Sequence, residues 1–437
     1  MSPLPPLTPA ADTAWLLVAS ALVLLMTPGL ALFYGGLVRA KNVLNTMMMS
    51  LGAVAGAGLA WAAIGYSLAF APGQGLLGGP DHLLLAGVGL EARGTVPHLL
   101  FFAFQGTFAV ITVAIVSGAL VERLRFGPWL AFTALWTVVV YAPVCHWVWG
   151  GGWLARLGAL DFAGGTVVHV NAAAAALVAA LALGPRRDWG RQALLPHNVP
   201  LVLLGAGLLW FGWFGFNAGS ALAADGKAVL AFATTLLAPM ATLAAWMALD
   251  LARTGRVTAV GAATALVVGL VAVTPAAGFV SPRGALALGA LAALPSYFGL
   301  IARARTRLDD SLDVVAAHGL GGVTGALLTG VFASAQWGGT AGLLEGNAAL
   351  LTRQAAAVAA TAVWSAAGTW ALLRALALVA PLRVAEPRQG RGLDVELHGE
   401  EAYGTGEGAI LVLPEVATPP LRAADRPLAT ASSGAGV

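Results

Sequence analysis

The hydrophobic pattern of this chain consists of long apolar runs separated by short polar segments. A helix needs about 20 predominantly apolar residues to cross the hydrocarbon core of a bilayer. About eleven runs approach that length, roughly at 13–36, 43–70, 98–121, 128–146, 161–183, 199–219, 227–250, 257–277, 285–302, 311–334 and 350–380. The pattern therefore predicts an all-α integral membrane protein with eleven transmembrane helices.

Composition and charge agree with a membrane location. The 437 residues are 59% hydrophobic and only 10% charged, and the mean hydropathy is +0.82. The chain therefore lacks the charged surface of a soluble globular protein of this length. The formal net charge is +3. Its basic residues are spread over alternate loops, so nucleic-acid binding is not expected.

The placement of Lys and Arg predicts the orientation of the helices. One alternating set of loops holds most of them, namely Arg39, Lys41, Arg123, Arg125, Arg186, Arg187, Arg191, Arg253, Arg256, Arg303, Arg305 and Arg307. The other set holds only Arg93, Arg156, Lys227, Arg283 and Arg353. Because positive charge marks the cytoplasmic side, we expect an external N-terminus and a cytoplasmic C-terminus in the inner (plasma) membrane. The arginine-rich loops also suit contact with anionic membrane lipid. No basic segment precedes the first apolar run, so a cleaved signal peptide is not expected.

Two histidines interrupt apolar runs at positions where no charge lies nearby. His169 lies in the run from Thr166 to Leu183, and His318 lies in the run from Val314 to Phe332. A titratable ring at membrane depth is costly unless it faces a partner or a cavity. The two rings therefore mark a conduction pathway or proton relay. The structural alternative is a pair of histidines that satisfy each other by hydrogen bonding within the core.

The same two runs suggest a duplicated plan. Leu160-Asp161 opens the fifth run, and a histidine follows eight positions later, whereas Leu312-Asp313 opens the tenth run with a histidine five positions later. Five runs separate the two, so the related helices run in opposite directions. This arrangement predicts inverted five-helix repeats with an extra C-terminal helix, and a working site near the membrane midplane.

Asp161 has two interpretations. A carboxylate at the start of a helix accepts hydrogen bonds from free N–H groups, so Asp161 is a candidate N-cap. It could in addition order the local backbone so that its carbonyl groups face an external cation. The two roles are compatible.

Aromatic residues cluster near the same end of the predicted bundle. Phe104 and Phe108 are four residues apart and share a helix face, Trp149 ends the fourth run, and the sixth run ends in Trp213-Phe-Gly-Phe-Asn-Ala-Gly-Ser220. Rings together with a hydroxyl can hold a small cation, with about 1–2 kcal/mol per desolvated ring. An interfacial aromatic belt is the alternative.

Taken together, these segments resemble the bacterial branch of the ammonium transporters of the Amt/Mep/Rh family. The resemblance extends over about residues 13 to 403. It is carried by Met26-Thr-Pro-Gly-Leu-Ala-Leu-Phe-Tyr-Gly-Gly36, Arg39-Ala-Lys-Asn42, Leu160-Asp-Phe-Ala-Gly-Gly-Thr-Val-Val-His169, Gly212-Trp-Phe-Gly-Phe-Asn-Ala-Gly-Ser220, and Asp309-Asp-Ser-Leu-Asp313 through His318-Gly.

The resemblance implies eleven transmembrane helices, inverted repeats and a homotrimer with one pore per subunit. It assigns Phe108, Trp149 and Ser220 to an outer ammonium site that Asp161 orders from behind. Phe108 and Phe216 match the rings that close the pore beneath that site. The residues expected to line the pore are His169, His318, Trp213 and Phe104.

A transport route follows from this assignment. Moving a bare cation into an apolar tube costs nominally ~20 kcal/mol by an idealised Born estimate, whereas neutral ammonia costs far less. We therefore expect deprotonation below the outer site, passage of ammonia beside the histidines, and separate passage of the proton, so that net transport carries charge. No cofactor, metal site or enzymatic activity is expected.

The end of the chain divides the predicted domains. Residues 1–381 form the transmembrane domain, and residues 382–437 form a cytoplasmic tail that is expected to be partly disordered beyond about residue 404. The stretch 382–403 resembles the family tail that packs beneath neighbouring subunits and contacts PII signalling proteins. Three alternatives remain open: a transport-deficient ammonium sensor, a neutral-gas channel of the Rh type, and an intramembrane hydrolase.

Overall fold

The computed structural model describes residues 8–404 of the chain. Eleven apolar helices form its bundle: α1 (Ala10–Leu37), α2 (Ala40–Phe70), α3 (His98–Ser117), α4 (Phe126–Leu157), α5 (Gly165–Leu183), α6 (Val199–Gly219), α7 (Gly226–Thr254), α8 (Ala259–Val273), α9 (Pro282–Arg303), α10 (Val315–Phe332) and α11 (Ala348–Val379). Two short helices follow, α12 (Glu386–Arg391) and α13 (Leu393–His398). The predicted tail extension after residue 404 lies outside the described residues.

Small elements join or interrupt these helices. The α2–α3 connection contains a 3₁₀ turn, Leu83–Leu85, and a hairpin of β1 (Ala92–Arg93) and β2 (Val96–Pro97). A single turn at Ala335–Gly338 and a 3₁₀ turn at Leu343–Glu345 lie between α10 and α11. Helix α2 begins with a 3₁₀ turn, Ala40–Asn42, and contains a π-helical turn, Trp61–Gly65. Helix α4 contains a π-helical turn, Thr137–Tyr141, and is broken before its last five residues, Trp153–Leu157.

The helix lengths confirm an all-α, multi-pass membrane protein. Within residues 8–404, ten helices are long and apolar enough to cross a membrane, and α8 is shorter, at 15 residues. The predicted run 257–277 overestimated α8, because the helix ends at Val273 and a series of turns follows. Pro275 lies in those turns, and a proline has no backbone N–H with which to continue the hydrogen bonds of the helix.

Helices α1 and α6 make the most extensive helix contact in the bundle. Glycines permit their close approach: a Cβ atom on Gly205 would lie 2.3 Å from the backbone nitrogen of Phe33, and one on Gly36 would lie 2.7 Å from the backbone oxygen of Asn198. Small residues allow helices to pack closely in lipid, where hydrophobicity supplies no force for association. The face of α1 along Leu30 and Phe33 is thereby fixed near the centre of the bundle.

Helices α5 and α10 share an unusual beginning. Each starts with a six-residue π-helical segment, Gly165–Val170 in α5 and Val315–Leu320 in α10, and each segment carries one of the buried histidines. Single-turn π segments are rare and are frequent at functional sites. Because the chain enters α5 and α10 from opposite ends of the bundle, the two segments meet near its middle.

The structure corrects one part of the sequence comparison between these segments. Asp161 was paired with Asp313, but the Asp313 carboxylate lies 2.6 Å from Arg303 Nε. Instead, Asp310 Oδ2 accepts the N–H of Val315 at the start of α10. Asp310 precedes His318 by eight residues, the same spacing that separates Asp161 from His169. The equal spacing of eight residues is therefore the sequence signal that points to Asp310, and not to Asp313, as the counterpart of Asp161.

Candidate functional site

Asp161 organises the beginning of α5 through its carboxylate. Oδ1 accepts the N–H groups of Gly164 (2.8 Å) and Gly165 (2.7 Å), and Oδ2 accepts those of Thr166 (2.8 Å) and Val167 (2.9 Å). An ionised carboxylate is an acceptor at both oxygens, whereas a protonated one would present a hydrogen to one of these donors. The four donors therefore favour a buried negative charge at this position.

A cavity of about 270 Å³ opens beside Asp161, and we name it the mouth cavity. Eight uncharged side chains line it: Phe70, Phe101, Gln105, Val148, Trp149, Phe162, Ser220 and Leu222. The Trp149 indole N–H donates to the backbone oxygen of Asp161 at 2.9 Å, which fixes the indole ring next to the carboxylate. The Ser220 hydroxyl donates to the backbone oxygen of Phe216 at 2.8 Å, so its oxygen lone pairs remain available to a donor.

Two phenyl rings close the bottom of the mouth cavity. The Phe108 and Phe216 ring centroids lie 4.3 Å apart with an interplanar angle of 31°, and we name these rings the phenyl pair. Phe108 also contacts Trp149 edge to face, with centroids 5.8 Å apart. Both phenyl rings are fully buried. The pair thus separates the mouth cavity from the space below.

Phe104, which the resemblance assigns to the pore lining, lies beside Phe108. Its ring is fully buried and packs edge to face against Phe108, with centroids 4.9 Å apart. It also lies against Gly219, and it lines neither the mouth cavity nor the space beneath the phenyl pair. The four-residue spacing places Phe104 and Phe108 on one helix face. Neither ring lines a cavity, but Phe108 contacts Trp149 of the mouth cavity and Phe216, which lines the space below.

Beneath the phenyl pair lies a narrow central cavity. Its walls are mainly apolar: Met26, Leu30, Phe33, Ile111, Ile115, His169, Leu209, Trp213, Phe216, Val267 and His318. The volume open to the centre of a water-sized molecule is about 10 Å³, which is near the minimum that a single water requires. The cavity therefore accommodates one small molecule at a time.

His169 and His318 provide the polar ring nitrogens in the central cavity. Their Nδ1 atoms lie 3.1 Å apart, and the ring centroids lie 5.2 Å apart. A hydrogen bond between two Nδ1 atoms requires one ring to carry its proton at Nδ1 and the other to carry it at Nε2 when both are neutral. His169 Nε2 has no hydrogen-bond partner within residues 8–404. The pair is therefore asymmetric and retains unused hydrogen-bonding capacity.

Trp213 supports the histidine pair from the side. Its ring stacks on His169 with centroids 5.4 Å apart and an interplanar angle of 22°. The indole N–H donates to the Thr274 hydroxyl at 2.9 Å, directly after α8. Thr274 was not identified from sequence, because a threonine within the predicted run 257–277 gives no sign of its partner. Its bond connects α6 with the turn that ends α8.

Comparisons with known proteins agree with this geometry. Residues 14–403 match the sequence profile of the Ammonium Transporter Family. The chain belongs to that family. It is 46% identical to the ammonium transporter of Bacillus subtilis (strain 168), with 90% of this chain and 98% of the relative covered. It is 50% identical to the ammonium transporter of Aquifex aeolicus (strain VF5), with 90% and 93% covered.

Solved structures extend the family relationship to the fold. The crystal structure of Saccharomyces cerevisiae Mep2 is similar with a TM-score of 0.81 and 36% sequence identity, and the match covers 87% of this chain and 88% of that chain. A structure described as a sensor Amt protein is similar with a TM-score of 0.83 and 31% identity, covering 89% of this chain and 98% of that chain. The family fold therefore includes proteins described as sensors.

The other end of this family member contains a buried ionic cluster that sequence reasoning did not identify. Glu122 has a fully buried side chain that pairs with Arg39 (3.0 Å) and Arg186 (3.1 Å). Asp309 pairs with Arg186 (2.8 Å) and with Arg123 (3.5 Å). We name these five residues the ionic cluster. In the sequence, the three arginines mark orientation, and Arg39 and Asp309 lie in motifs of the resemblance, but nothing local connects them because their partners are distant in sequence.

The described part of the tail packs against this same end. The Asp394 carboxylate accepts the N–H groups of Leu44 (3.0 Å) and Asn45 (2.8 Å) at the start of α2. The Tyr403 hydroxyl lies 2.8 Å from His197 Nε2. The tail from residue 382 to residue 404 thus contacts helices and loops of its own subunit.

Proposed function

We propose that this protein transports ammonium across the membrane by binding the cation in the mouth cavity, removing a proton, and conducting ammonia through the central cavity. One observation carries the proposal: two hydrogen-bonded imidazoles lie in an apolar cavity with room for one small molecule, directly below an aromatic cavity backed by a carboxylate. The family relationship supports the substrate, because the curated relatives are named ammonium transporters.

The mouth cavity supplies three interactions that suit an ammonium ion. The Trp149 and Phe108 rings offer their negative faces to a cation. Ser220 offers oxygen lone pairs to an N–H donor. Asp161 adds a nearby negative charge without direct contact, since both of its oxygens are held by backbone N–H groups. The cation is thus attracted but is not bound by a carboxylate that would neutralise it.

The phenyl pair and the central cavity favour passage of the neutral species. Desolvating an ammonium ion in an apolar space is far costlier than desolvating ammonia. Below the phenyl pair, NH₄⁺ therefore becomes NH₃: the N–H bond electrons stay on nitrogen, and the Nε2 of His169, which is unpartnered among the described residues and whose ring stacks on Phe216, accepts the proton. The His169 and His318 nitrogens then accept and donate hydrogen bonds to the ammonia molecule as it passes. The released proton crosses along the imidazole pair, so one positive charge crosses with each ammonia.

The topology follows the distribution of arginines. We place the mouth cavity and the N-terminus outside the cell, and the ionic cluster and the tail in the cytoplasm, with the chain in the inner (plasma) membrane. Helices α1–α5 and α6–α10 form inverted repeats and α11 is the additional helix. The protein assembles as a homotrimer with one pore per subunit, and the tail contacts a PII signalling protein. The orientation rests on the arginines, whereas the inverted repeats, the homotrimer and the PII contact rest on the resemblance to the family.

Ammonium-evoked current tests the mechanism. Purified protein is reconstituted into supported membranes, and current is recorded for the wild type and for His169→Ala and His318→Ala. We expect each substitution to abolish the selective current or to admit potassium, because the polar nitrogens and the steric limit are lost together. Current and potassium exclusion that remain as in the wild type in both variants would remove the relay role.

A sensor function is the second candidate, and the similarity to the sensor Amt protein is the observation that favours it. Uptake of the transported analogue methylammonium by cells that lack their own ammonium transporters separates the two. Uptake above the empty-vector level supports transport, whereas a surface-exposed protein with no uptake supports sensing. A neutral-gas channel would give uptake without ammonium-evoked current.

A further inference from the structure

Gln354 in α11 forms a three-bond junction with two other parts of the bundle. Its Oε1 accepts the N–H of Leu160 at 2.6 Å, and its Nε2 donates to the backbone oxygens of Leu160 (2.7 Å) and Ala326 (3.0 Å). The side chain is 1% exposed. A buried amide that satisfies three backbone bonds fixes all three segments relative to one another.

The two backbone segments that Gln354 holds belong to the two halves of the proposed pathway. Leu160 directly precedes Asp161, whose carboxylate holds the start of α5 and whose backbone oxygen orients Trp149. Ala326 lies in α10, eight residues after His318. The junction therefore joins the mouth cavity to the helix that carries the second histidine, although Gln354 lines neither cavity.

We propose that Gln354 is a positioning residue for the cation site. Its amide holds the Leu160–Asp161 backbone at the depth where Trp149 and the Asp161 charge act on the same ion. This inference rests on the proposed function. Without the Gln354 amide, the Leu160 N–H and carbonyl lose their partners, and the next peptide, which carries the Trp149 acceptor, is held only by the bond from the Phe162 N–H to the Pro275 backbone oxygen. The expected consequence is weaker ammonium binding at the mouth cavity rather than slower passage below it.

Ser365 offers a matched control on the same helix. Its hydroxyl is buried and donates to the backbone oxygen of Asn171 at 2.7 Å, beyond the π-helical segment of α5. Loss of this bond loosens the contact between α11 and α5 without touching Leu160. A general loss of stability therefore affects both positions, whereas a change in cation binding is expected only at Gln354.

The experiment compares Gln354→Met, Gln354→Glu, Ser365→Ala and Trp149→Leu with the wild type in full-length reconstituted protein. Ammonium-evoked current gives the apparent KM and the maximal current, and thermal unfolding in detergent gives the Tm. We expect Gln354→Met to raise the KM about three- to tenfold with the maximal current within about twofold. Gln354→Glu, which keeps an acceptor for Leu160, is expected to lie between it and the wild type. Ser365→Ala is expected to lower the Tm and leave the KM unchanged.

The outcomes separate this inference from the proposed function. If Trp149→Leu raises the KM and neither Gln354 variant does, the positioning role is wrong and the cation site stands. If Trp149→Leu also leaves the KM unchanged, the cation site itself is wrong. Equal KM shifts in Gln354→Met and Ser365→Ala would reduce Gln354 to a packing role. If Gln354→Met does not fold, the KM of Gln354→Glu decides.

Discussion

The two histidine-bearing segments use one backbone device in two different surroundings. In both, an aspartate lies eight residues before the histidine and accepts N–H groups at the start of a π-helical segment. Asp161 accepts four such groups through its two oxygens. Asp310 accepts the N–H of Val315 through Oδ2, and its Oδ1 has no hydrogen-bond partner within residues 8–404. The first aspartate is thus held far more completely than the second.

The surroundings differ more than the segments do. Asp161 lies beside a cavity lined by eight uncharged side chains, four of them aromatic. Asp310 follows Asp309 of the ionic cluster, where Arg123 and Arg186 supply positive charge. A carboxylate attracts an external cation only where no fixed cation neutralises it. On the proposed function, the first segment serves cation binding and the second serves structure.

Replacing each aspartate by asparagine is the strongest test of this difference. In Asp161→Asn, the amide presents N–H groups to two of the four backbone donors and removes the negative charge. Loss of two charge-assisted hydrogen bonds costs about 3–6 kcal/mol of folding free energy. Because the charge that attracts the cation is lost as well, we expect methylammonium uptake per folded copy to fall by at least about 100-fold, equivalent to about 3 kcal/mol of cation binding. In Asp310→Asn, the carbonyl oxygen keeps the Val315 bond, and a fall of less than about fivefold is expected.

Both variants are compared at equal surface expression. Similar losses of uptake in Asp161→Asn and Asp310→Asn would show that the two aspartates have the same role, and the asymmetry drawn from their surroundings would be wrong. An intact Tm in Asp161→Asn would place its effect on the site rather than on folding.

Hydropathy predicted the helices well because lipid imposes a length and an apolar composition on each one. It failed at α8, where Pro275 ends a run that continues to be apolar in sequence. The histidines were identifiable because polar rings stand out in apolar runs. The pore-lining role of Phe104 stays a prediction, because helix periodicity gives a face but not the neighbour that the face meets.

The contacts between distant residues were not predictable from sequence. Gln354 lies 194 residues from Leu160, and Thr274 lies 61 residues from Trp213. A glutamine or a threonine in an apolar helix is consistent with many partners, and no local rule selects one. The same applies to Glu122, whose arginine partners come from two other loops.

The Glu122 carboxylate of the ionic cluster provides the second test, because it pairs with arginines of the protein. Burial raises the pKa of Glu122, but Arg186 and Arg39 outweigh burial and lower the pKa to about 2. Glu122→Gln removes one partner of a buried ion pair, which costs about 3–5 kcal/mol. We expect a clear fall in the Tm, while uptake per folded copy changes far less than in Asp161→Asn.

The pH dependence of that variant gives a sharper result. A carboxylate with a lowered folded-state pKa contributes stability that is present above its unfolded pKa and is lost as the pH falls through the folded pKa. The Tm difference between wild type and Glu122→Gln should therefore stay constant at neutral pH and shrink from about pH 4.5 towards pH 2. Glu386→Gln, at an exposed position at the start of α12 and outside the ionic cluster, is the control. A Tm difference that widens on acidification would contradict the assignment.

Phe104 and Phe216 give a smaller contrast within the aromatic region. Phe104→Leu removes buried ring atoms behind the phenyl pair and should cost about 1–2 kcal/mol of stability. We expect its ammonium current to remain selective against potassium. Phe216→Leu joins the mouth cavity to the central cavity and should admit charged ions. A potassium current in Phe104→Leu would mean that Phe104 belongs to the barrier after all.

Thr274→Val is expected to have the smallest effect. Valine matches threonine in shape but leaves the Trp213 indole N–H without its acceptor, at a cost of about 1 kcal/mol. Because Trp213 stacks on His169, the looser ring should lower the maximal current about three- to fivefold and leave the KM unchanged. Thr264→Val is the control. Thr264 lies in α8, which Thr274 directly follows, and its hydroxyl is bonded only to the Val260 backbone oxygen. A changed KM would place Trp213 in cation binding at the mouth cavity, whereas an unchanged current would show that the stack on His169 persists without the Thr274 bond.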